Sequence, residues 1–525
     1  MTMHDLLMYP AYIDGKDVEH PEGRYVHTVT ARSVLEDTMP ALALKRDLDA
    51  GLVDPRRAGP SVVGGCALAD DRMAADALEA AARAAPEWAR TSLIDRLEIG
   101  ARIGERLREK RDEIVELLVA EGQPRDLAGP TLDEYWLADF SSETLSFCAS
   151  QMQTSKHRGR GGHATVRRVP DGVVCVNPPQ NASTPNALFG ATALLAGNAV
   201  VIRAPRGVPL ATTHALREVV VPVLEEAGAP TGTLNILCGP PMTDLWLQSP
   251  HVDDIVYVGS SAKGLEFERA AVAAGKKPVL ELAGNDCVVV WADADLDAAA
   301  TSITENFRQS GQICNIPNHV IAHPAIADAL LERLVAIAAA TKPGYPDEEG
   351  VVLTPVLMAE QHFADIADAV RRGARLLHGG RRLEVDGSPS DTGFFVEPAV
   401  LRVDGLDLAR STPAVREETF SPLLPVVVPE NHDGLFDEVL EFVGSNRYGL
   451  RNSFWVEDER LIAAITAKVT TGGVVNVNDS HSAFRPFLPT HGGTGLTGGV
   501  FGEANYLMLR TTRLQGVNVK RGGAR

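Results

Sequence analysis

From Gly172 onward the chain alternates short Val-rich runs with Ala- and Leu-rich stretches of helical length. A run at 173–176 precedes a helical stretch near 186–196, and a run at 199–202 precedes another at 210–227. Further runs stand at 234–237 and 255–258. Strands that are apolar on both sides have no face to give to water. They fit a parallel sheet covered by helices on both faces. The pattern recurs after Cys287, with strands at 288–291 and 320–322 and a helix near 327–341, which predicts a second α/β domain. Ligands of open α/β sheets bind beyond the carboxyl ends of the strands, where the turns at Arg203 and Gly259 fall.

Bulk properties fit a large multidomain globular chain. It has 525 residues, 45% of them hydrophobic, enough to bury substantial cores. A net charge of −19 argues against nonspecific nucleic-acid binding and fits a solvated acidic surface. No apolar run has the length of a bilayer-spanning helix, and Met1–Asp5 lacks a basic region leading into an apolar stretch. No membrane partner is expected. Six cysteines at irregular positions (66, 148, 175, 238, 287 and 314) give neither a disulfide framework nor a zinc spacing, so no metal is expected. A reducing cytoplasm is the expected compartment.

Two residues carry candidate chemistry. Cys314 ends the run Phe307-Arg308-Gln309-Ser310-Gly311-Gln312-Ile313-Cys314, and Glu281 lies upstream in Val279-Leu280-Glu281-Leu282-Ala283-Gly284. A thiol in a Gly-Gln turn, downstream of a carboxylate in an apolar strand-to-Gly turn, suggests a nucleophile with a general base. Singly, each has an ordinary explanation: most buried cysteines are inert packing, and a Glu beside Gly commonly caps a helix.

These runs resemble the aldehyde dehydrogenase superfamily, whose active site carries Glu-Leu-Gly-Gly and then Gly-Gln-x-Cys. Gly172-Val173-Val174 with Pro178-Pro179-Gln180-Asn181 is similar to that family's Gly-Val-Val…Pro-Trp-Asn segment. Gly197-Asn198-Ala199-Val200-Val201-Ile202-Arg203 is similar to Gly-Asn-x-Val-Val-x-Lys. Val258-Gly259-Ser260 resembles its Thr-Gly-Ser turn, and Glu417-Glu418-Thr419-Phe420-Ser421-Pro422 resembles Glu-Glu-x-Phe-Gly-Pro. Departures are Gln180 for Trp, Ala283 for Gly and Ser421 for Gly.

The resemblance implies an α/β fold of aldehyde dehydrogenase type. A Rossmann-type cofactor domain would cover 1–147 and 169–283, a catalytic domain 284–490, and a β oligomerisation arm 148–168 and 505–525, giving a homodimer or homotetramer. It also implies oxidation of an aldehyde to the acid. Cys314 would be the nucleophile, Glu281 the base that hydrolyses the thioester, and Asn181 with the Cys314 N–H the oxyanion donors. Pro179, Arg203, Arg206, Gly259, Ser260, Leu282, Glu418 and Phe420 would hold the dinucleotide. NAD-preferring relatives carry a Glu where this chain has Arg206, so Arg203 and Arg206 favour NADP over NAD: two guanidiniums can clamp a 2′-phosphate. Arg308, where succinate-semialdehyde dehydrogenases carry an Arg, would read a substrate anion beside Gln180, with Arg485 as a second cation. The second pocket arginine of those enzymes falls at Phe189. A small anionic aldehyde is therefore the expected substrate. The alternatives are a non-catalytic relative with a structural role and a coenzyme-A-acylating enzyme, the latter disfavoured by Glu281.

Four further expectations concern backbone. Residues 38–71 mix Pro, Gly and charges and read as an irregular surface insertion. Residues 151–168 read as a solvated hairpin. Gly493-Thr494-Gly495-Leu496-Thr497-Gly498 formally matches a dinucleotide fingerprint, but it follows no strand and reads as a flexible loop. The C-terminal run 511–520 reads as a lone edge strand that needs a partner subunit.

Overall fold

The computed structural model describes residues 6–520 apart from 160, 161, 490 and 503. Met1–Asp5, Arg160 of the basic run and the end of the arm at 521–525 lie outside the described residues.

Two seven-stranded sheets organise the molecule. The first runs Lys277–Glu281, Asp254–Val258, Val173–Asn177, Ala199–Pro205, Leu234–Gly239, Ala11–Ile13, Lys16–Val18; its first five strands are parallel. Alternate residues fill opposite faces. Val174, Val176, Val200 and Ile202 pack into one core, while Val173, Cys175, Ala199 and Val201 pack into another. Burial on both faces explains the unbroken apolar runs, and each such Val or Ile contributes roughly 1.5–3 kcal/mol. Strand order reverses direction between Val173–Asn177 and Asp254–Val258. Pro178–Asn181 and Gly259–Ser260 therefore leave the sheet at its topological switch point, where ligand crevices form.

The second sheet orders Arg375–His378, Ala399–Asp404, Leu423–Val428, Pro317–Ala322, Asp286–Val290, Arg451–Trp455, Val474–Val477, parallel except for its first strand. It repeats the two-faced burial, with Cys287 and Val289 on one side and Val288 and Val290 on the other. The chain passes from one sheet to the other through the turn 282–285. No helix among the described residues is long and apolar enough to cross a membrane.

The stretch 38–71 is not irregular. Thr38–Asp49 is a helix, and Val62–Ala67 pairs with Leu7–Tyr9 and Tyr25–Val29 in a three-stranded sheet. Pro40 sits in the first helical turn, where the missing N–H costs nothing. Ala41, Leu44 and Leu48 line one stripe at i, i+3 and i+7 and pack with Val29 and Val62.

The hairpin Ser155–Gly159 with Gly162–Pro170 forms as expected, largely at the surface. The C-terminal strand is not alone, however. Thr512–Lys520 pairs antiparallel along all nine residues with Gly162–Pro170. Among the described residues both outer strands of this three-stranded arm keep an open edge, and the C-terminal one carries exposed Leu514, Val517 and Val519.

Candidate active site

The first sheet presents the carboxyl ends of its strands to the site, and the second presents amino ends. Glu281 closes Lys277–Glu281, whereas Cys314 precedes Pro317–Ala322, Glu418 precedes Leu423–Val428, and Asp286 and Arg451 open their own strands.

Glycines bring the turns together. A Cβ on Gly284 would lie 2.1 Å from the Cys314 carbonyl oxygen, so only glycine allows the Glu281 turn to touch the thiol loop. The Gly284 N–H donates to Glu418 Oε1 at 3.1 Å. A Cβ on Gly311 would lie 2.2 Å from the Ser421 carbonyl, which seats the Glu418–Ser421 segment on the same loop. Gln309, Ser310 and Gly311 are consecutively left-handed (φ 48°, 51° and 73°), and so is Phe420 (φ 48°). Such non-glycine conformations cost roughly 1–3 kcal/mol each and persist where surroundings enforce them. Here Gln309 N donates to the Val352 carbonyl, Ser310 Oγ to the Thr354 carbonyl, and Gln312 Nε2 to the Pro355 carbonyl, at 2.7–2.9 Å.

Burial of Glu281 pushes its carboxyl up to about 8. The Gly492 N–H, donating to Oε2 at 2.7 Å, and the nearby charge of Arg451 hold it down, while Asp286 pushes it further up. Glu418 is likewise raised to about 8 by burial. Cys314 keeps partial solvent contact, yet burial pushes its thiol well above the usual range. Glu281, Glu418 and Asp286 reinforce that shift and Arg451 opposes it. The thiol thus rests protonated beside Glu281 and Glu418, carboxyls that can take up a proton only when ionised, above about 8. The other five cysteines are buried.

Asn181 donates from Nδ2 to the Gln312 carbonyl at 3.0 Å, two residues from the thiol. Its second amide proton remains to be donated. Gln180 packs its side chain on Gly207, beside Arg206, in the loop after Ala199–Pro205. This corrects its expected place in the substrate pocket.

At the switch point, Gly259 N donates to the Glu281 carbonyl, and Ser260 begins the helix Ser261–Ala273 without capping it by its own side chain. Uncapped N–H groups at a helix start suit a pyrophosphate. The residues therefore fit a dinucleotide. Pro179 is half-buried beside Gln180, and Leu282 packs its side chain on Gly264 of that helix. Arg203 is buried and donates to the carbonyls of Gly239 and Pro178 and to Asn177 Oδ1, leaving Nε without a partner. Its donors are thus largely taken by the chain itself, against the expected two-arginine clamp, whereas Arg206 is exposed at the strand end.

Arg308, expected to read a substrate anion, already has partners within the chain. Nη1 donates to Ser482 Oγ at 3.0 Å, and Nη2 lies 3.6 Å from Glu305 Oε1. Glu305 is itself buried and accepts from Ser480 Oγ and Ser482 N. Arg485 forms a two-pronged ion pair with Asp479 at 2.7 and 3.0 Å. The charge that bears on Cys314 is that of Arg451.

The Gly493–Gly498 run is no loose loop. Leu282 N donates to the Thr497 carbonyl, Thr497 Oγ1 to the Ala283 carbonyl, and Ser261 Oγ to the Leu496 carbonyl. Preceding it, His491 stacks on Phe189 with centroids 3.7 Å apart. Neither Arg451 nor this clamp was singled out in the sequence. A charged residue opening a buried strand was the available signal for the first, since such residues are rarely buried without a partner.

The comparisons with known proteins agree with this geometry. Residues 52–514 match the aldehyde dehydrogenase family profile. The 1-pyrroline-5-carboxylate dehydrogenase of Staphylococcus saprophyticus is 31% identical over 71% of this chain and 71% of its own. The 3,6-anhydro-alpha-L-galactose dehydrogenase of a Vibrio species is 28% identical over 83% of this chain and 89% of its own. A crystal structure of an NAD-dependent aldehyde dehydrogenase from Sinorhizobium meliloti superposes with TM-score 0.80 at 24% identity, covering 100% of this chain and 97% of that one. The chain belongs to the aldehyde dehydrogenase family and is an NAD(P)-dependent enzyme of it.

Proposed function

We propose that this enzyme oxidises a small anionic aldehyde to its carboxylic acid through a thioester on Cys314. One observation carries the reading: the Gly284 backbone lies against the Cys314 carbonyl, which closes the Glu281 turn onto the thiol loop. Cys314 gives its proton to a neighbouring carboxylate and attacks the aldehyde carbon. Asn181 Nδ2 and the Cys314 N–H receive the oxyanion; a preorganised donor of this kind is worth roughly 3 kcal/mol. The bound dinucleotide supplies the hydride acceptor. Glu281 then takes a proton from water, whose oxygen attacks the thioester, releasing the acid and restoring the thiol. A base near 8 is well matched to that task.

The cofactor is held by the N–H groups that begin Ser261–Ala273, with Arg206 favouring NADP over NAD. Arg206→Glu is expected to raise KM for NADP and spare NAD, read by initial rates with each. The names of the two relatives describe one acid-bearing and one sugar substrate, so they do not select a class; the arginines do. Arg308 is half-exposed and shares its charge with Glu305, and a substrate anion would join that pair. Arg308→Leu is expected to cost about 2–5 kcal/mol in kcat/KM with anionic aldehydes and to spare neutral ones of similar size. Equal losses for both would leave Arg308 a structural partner of Glu305.

The open edge of the arm supports assembly as a homodimer or homotetramer, since an exposed apolar edge strand is otherwise an aggregation liability. Light scattering at micromolar concentration tests this, and a stable monomer contradicts it. A panel of aldehydes assayed with NAD and with NADP, following absorbance of the reduced cofactor, tests the whole reading. No turnover with any aldehyde would favour a non-catalytic role, and turnover only with coenzyme A an acylating one.

A further inference from the structure

Arg451 is 2% exposed, and a buried guanidinium is costly unless its donors are used. It opens the strand Arg451–Trp455, next to Asp286–Val290. Its backbone N–H donates to Asp286 Oδ1 at 3.1 Å. Its side chain reaches the segment 481–484. Nη1 donates to the carbonyls of His481 and Ala483 at 3.2 and 3.1 Å, and the guanidinium carbon lies 4.3 Å above the Phe484 ring. That combination of carbonyl bonds and ring contact fixes both the path and the tilt of 481–484.

The same segment is tied from behind. His481 Nε2 lies 3.2 Å from Asp286 Oδ2, its Nδ1 lies 2.7 Å from Ser453 Oγ, and its N–H donates to Ser302 Oγ. The next residue, Ser482, receives Arg308 and donates its N–H to Glu305. Arg451 therefore braces the wall on which Arg308 rests. Asp286 also reaches the thiol side: a Cβ on Gly284 would lie 3.3 Å from its Oδ1 as well as against the Cys314 carbonyl. One guanidinium thus stands beside a site that holds three carboxylates, Glu281, Glu418 and Asp286.

We propose that Arg451 is a positioning residue that sets the 481–484 wall of the substrate pocket and supplies the positive charge that offsets the three carboxylates around Cys314. The wall half of this proposal rests on the reading of Cys314 as the nucleophile; the charge half does not. The groups that face the thiol and bear on its ionisation are Glu281, Glu418 and Asp286 on one side of the balance and Arg451 on the other. His481 and His491 are the remaining titratable groups near the guanidinium. Burial keeps His491 neutral, down to about 3.

The test uses the full-length enzyme with Arg451→Met and Arg451→Lys. Iodoacetamide labelling of Cys314 is followed against pH by mass spectrometry of its peptide, and KM is measured for the best aldehyde. In Arg451→Met the labelling midpoint is expected to rise by about one pH unit, which slows labelling about tenfold below the midpoint. In Arg451→Lys, which keeps the charge but not the fork, the midpoint stays near that of the parent while KM rises. A folded Met variant with an unmoved midpoint would overturn the charge role. If the Met variant does not fold, the Lys variant decides: a midpoint displaced by a full unit, or a KM unchanged from the parent, would overturn the proposal. Because labelling needs no turnover, a failed nucleophile assignment would show separately, as activity surviving in Cys314→Ala.

Discussion

Cys314→Ala is expected to abolish aldehyde oxidation while leaving dinucleotide affinity unchanged. The remaining five cysteines are buried, and no second cysteine shares the thiol loop. Loss of a covalent nucleophile typically removes roughly 10^4-fold or more of kcat. On the proposed reading the dinucleotide is held by the turn Gly259–Ser260 and the helix Ser261–Ala273, and alanine at 314 removes a sulfur without disturbing the Gly284 contact, which is made by the backbone. Steady-state assay and fluorescence titration with the dinucleotide check the two halves. Residual turnover within tenfold of the parent would mean that another group attacks the aldehyde.

Glu281→Gln is expected to separate the two half-reactions. Gln keeps the volume and can still accept from the Gly492 N–H, so the buried packing survives. It cannot take a proton from water, and loss of a general base costs roughly 10^2–10^4-fold. Stopped-flow traces should show a burst of reduced dinucleotide followed by slow turnover, with an acyl group on Cys314 detectable by mass. The pH dependence follows from the raised carboxyl. Below about 8 it holds its proton and is idle as a base. In the parent, deacylation therefore rises with pH up to about 8 and levels above. In the variant that limb disappears. The negative charge of Glu281 also raises the thiol, so its removal should let Cys314 ionise at lower pH. A parent-like steady-state rate with no burst would show that a different base hydrolyses the thioester.

The apolar strands were legible because both faces of both sheets are buried, which leaves a simple composition signal at 173–176, 199–202 and 288–291. The Cys314–Glu281 pair stood out in the sequence through the order of the family-like motifs around it, since a lone thiol or a Glu beside glycine has an ordinary explanation. What escaped was set by contacts far apart in sequence. Residues 38–49 were masked by Pro40 and charges, although the stripe Ala41–Leu44–Leu48 fits a helix once Val29 and Val62 supply its partner. The Gly493–Gly498 run looked loose because its anchors, Ser261, Leu282 and Ala283, lie more than two hundred residues upstream. Two cations escaped for a local reason: Arg308 and Arg485 pair with Glu305 and Asp479, only three and six residues away, through the path of the backbone, and Ser482 reaches Arg308 from 174 residues on. Arg203 was read as a ligand clamp, and the sheet spends it on its own carbonyls.

The turn 282–285 makes the reacting pair a matter of chain length. Glu281 ends one sheet and Asp286 begins the other, so four residues act as the ruler between the base and the domain that carries the thiol. Lengthening the ruler by one residue would displace the carboxylate by up to about 3.5 Å, farther than hydrogen-bond reach tolerates. On the proposed reading, substrate contacts come instead from 305–308 and 479–485, segments that the ruler does not measure. Their residues can therefore be exchanged for new aldehydes without retuning the chemistry, whereas the short link between the sheets admits neither insertion nor a side chain at 284.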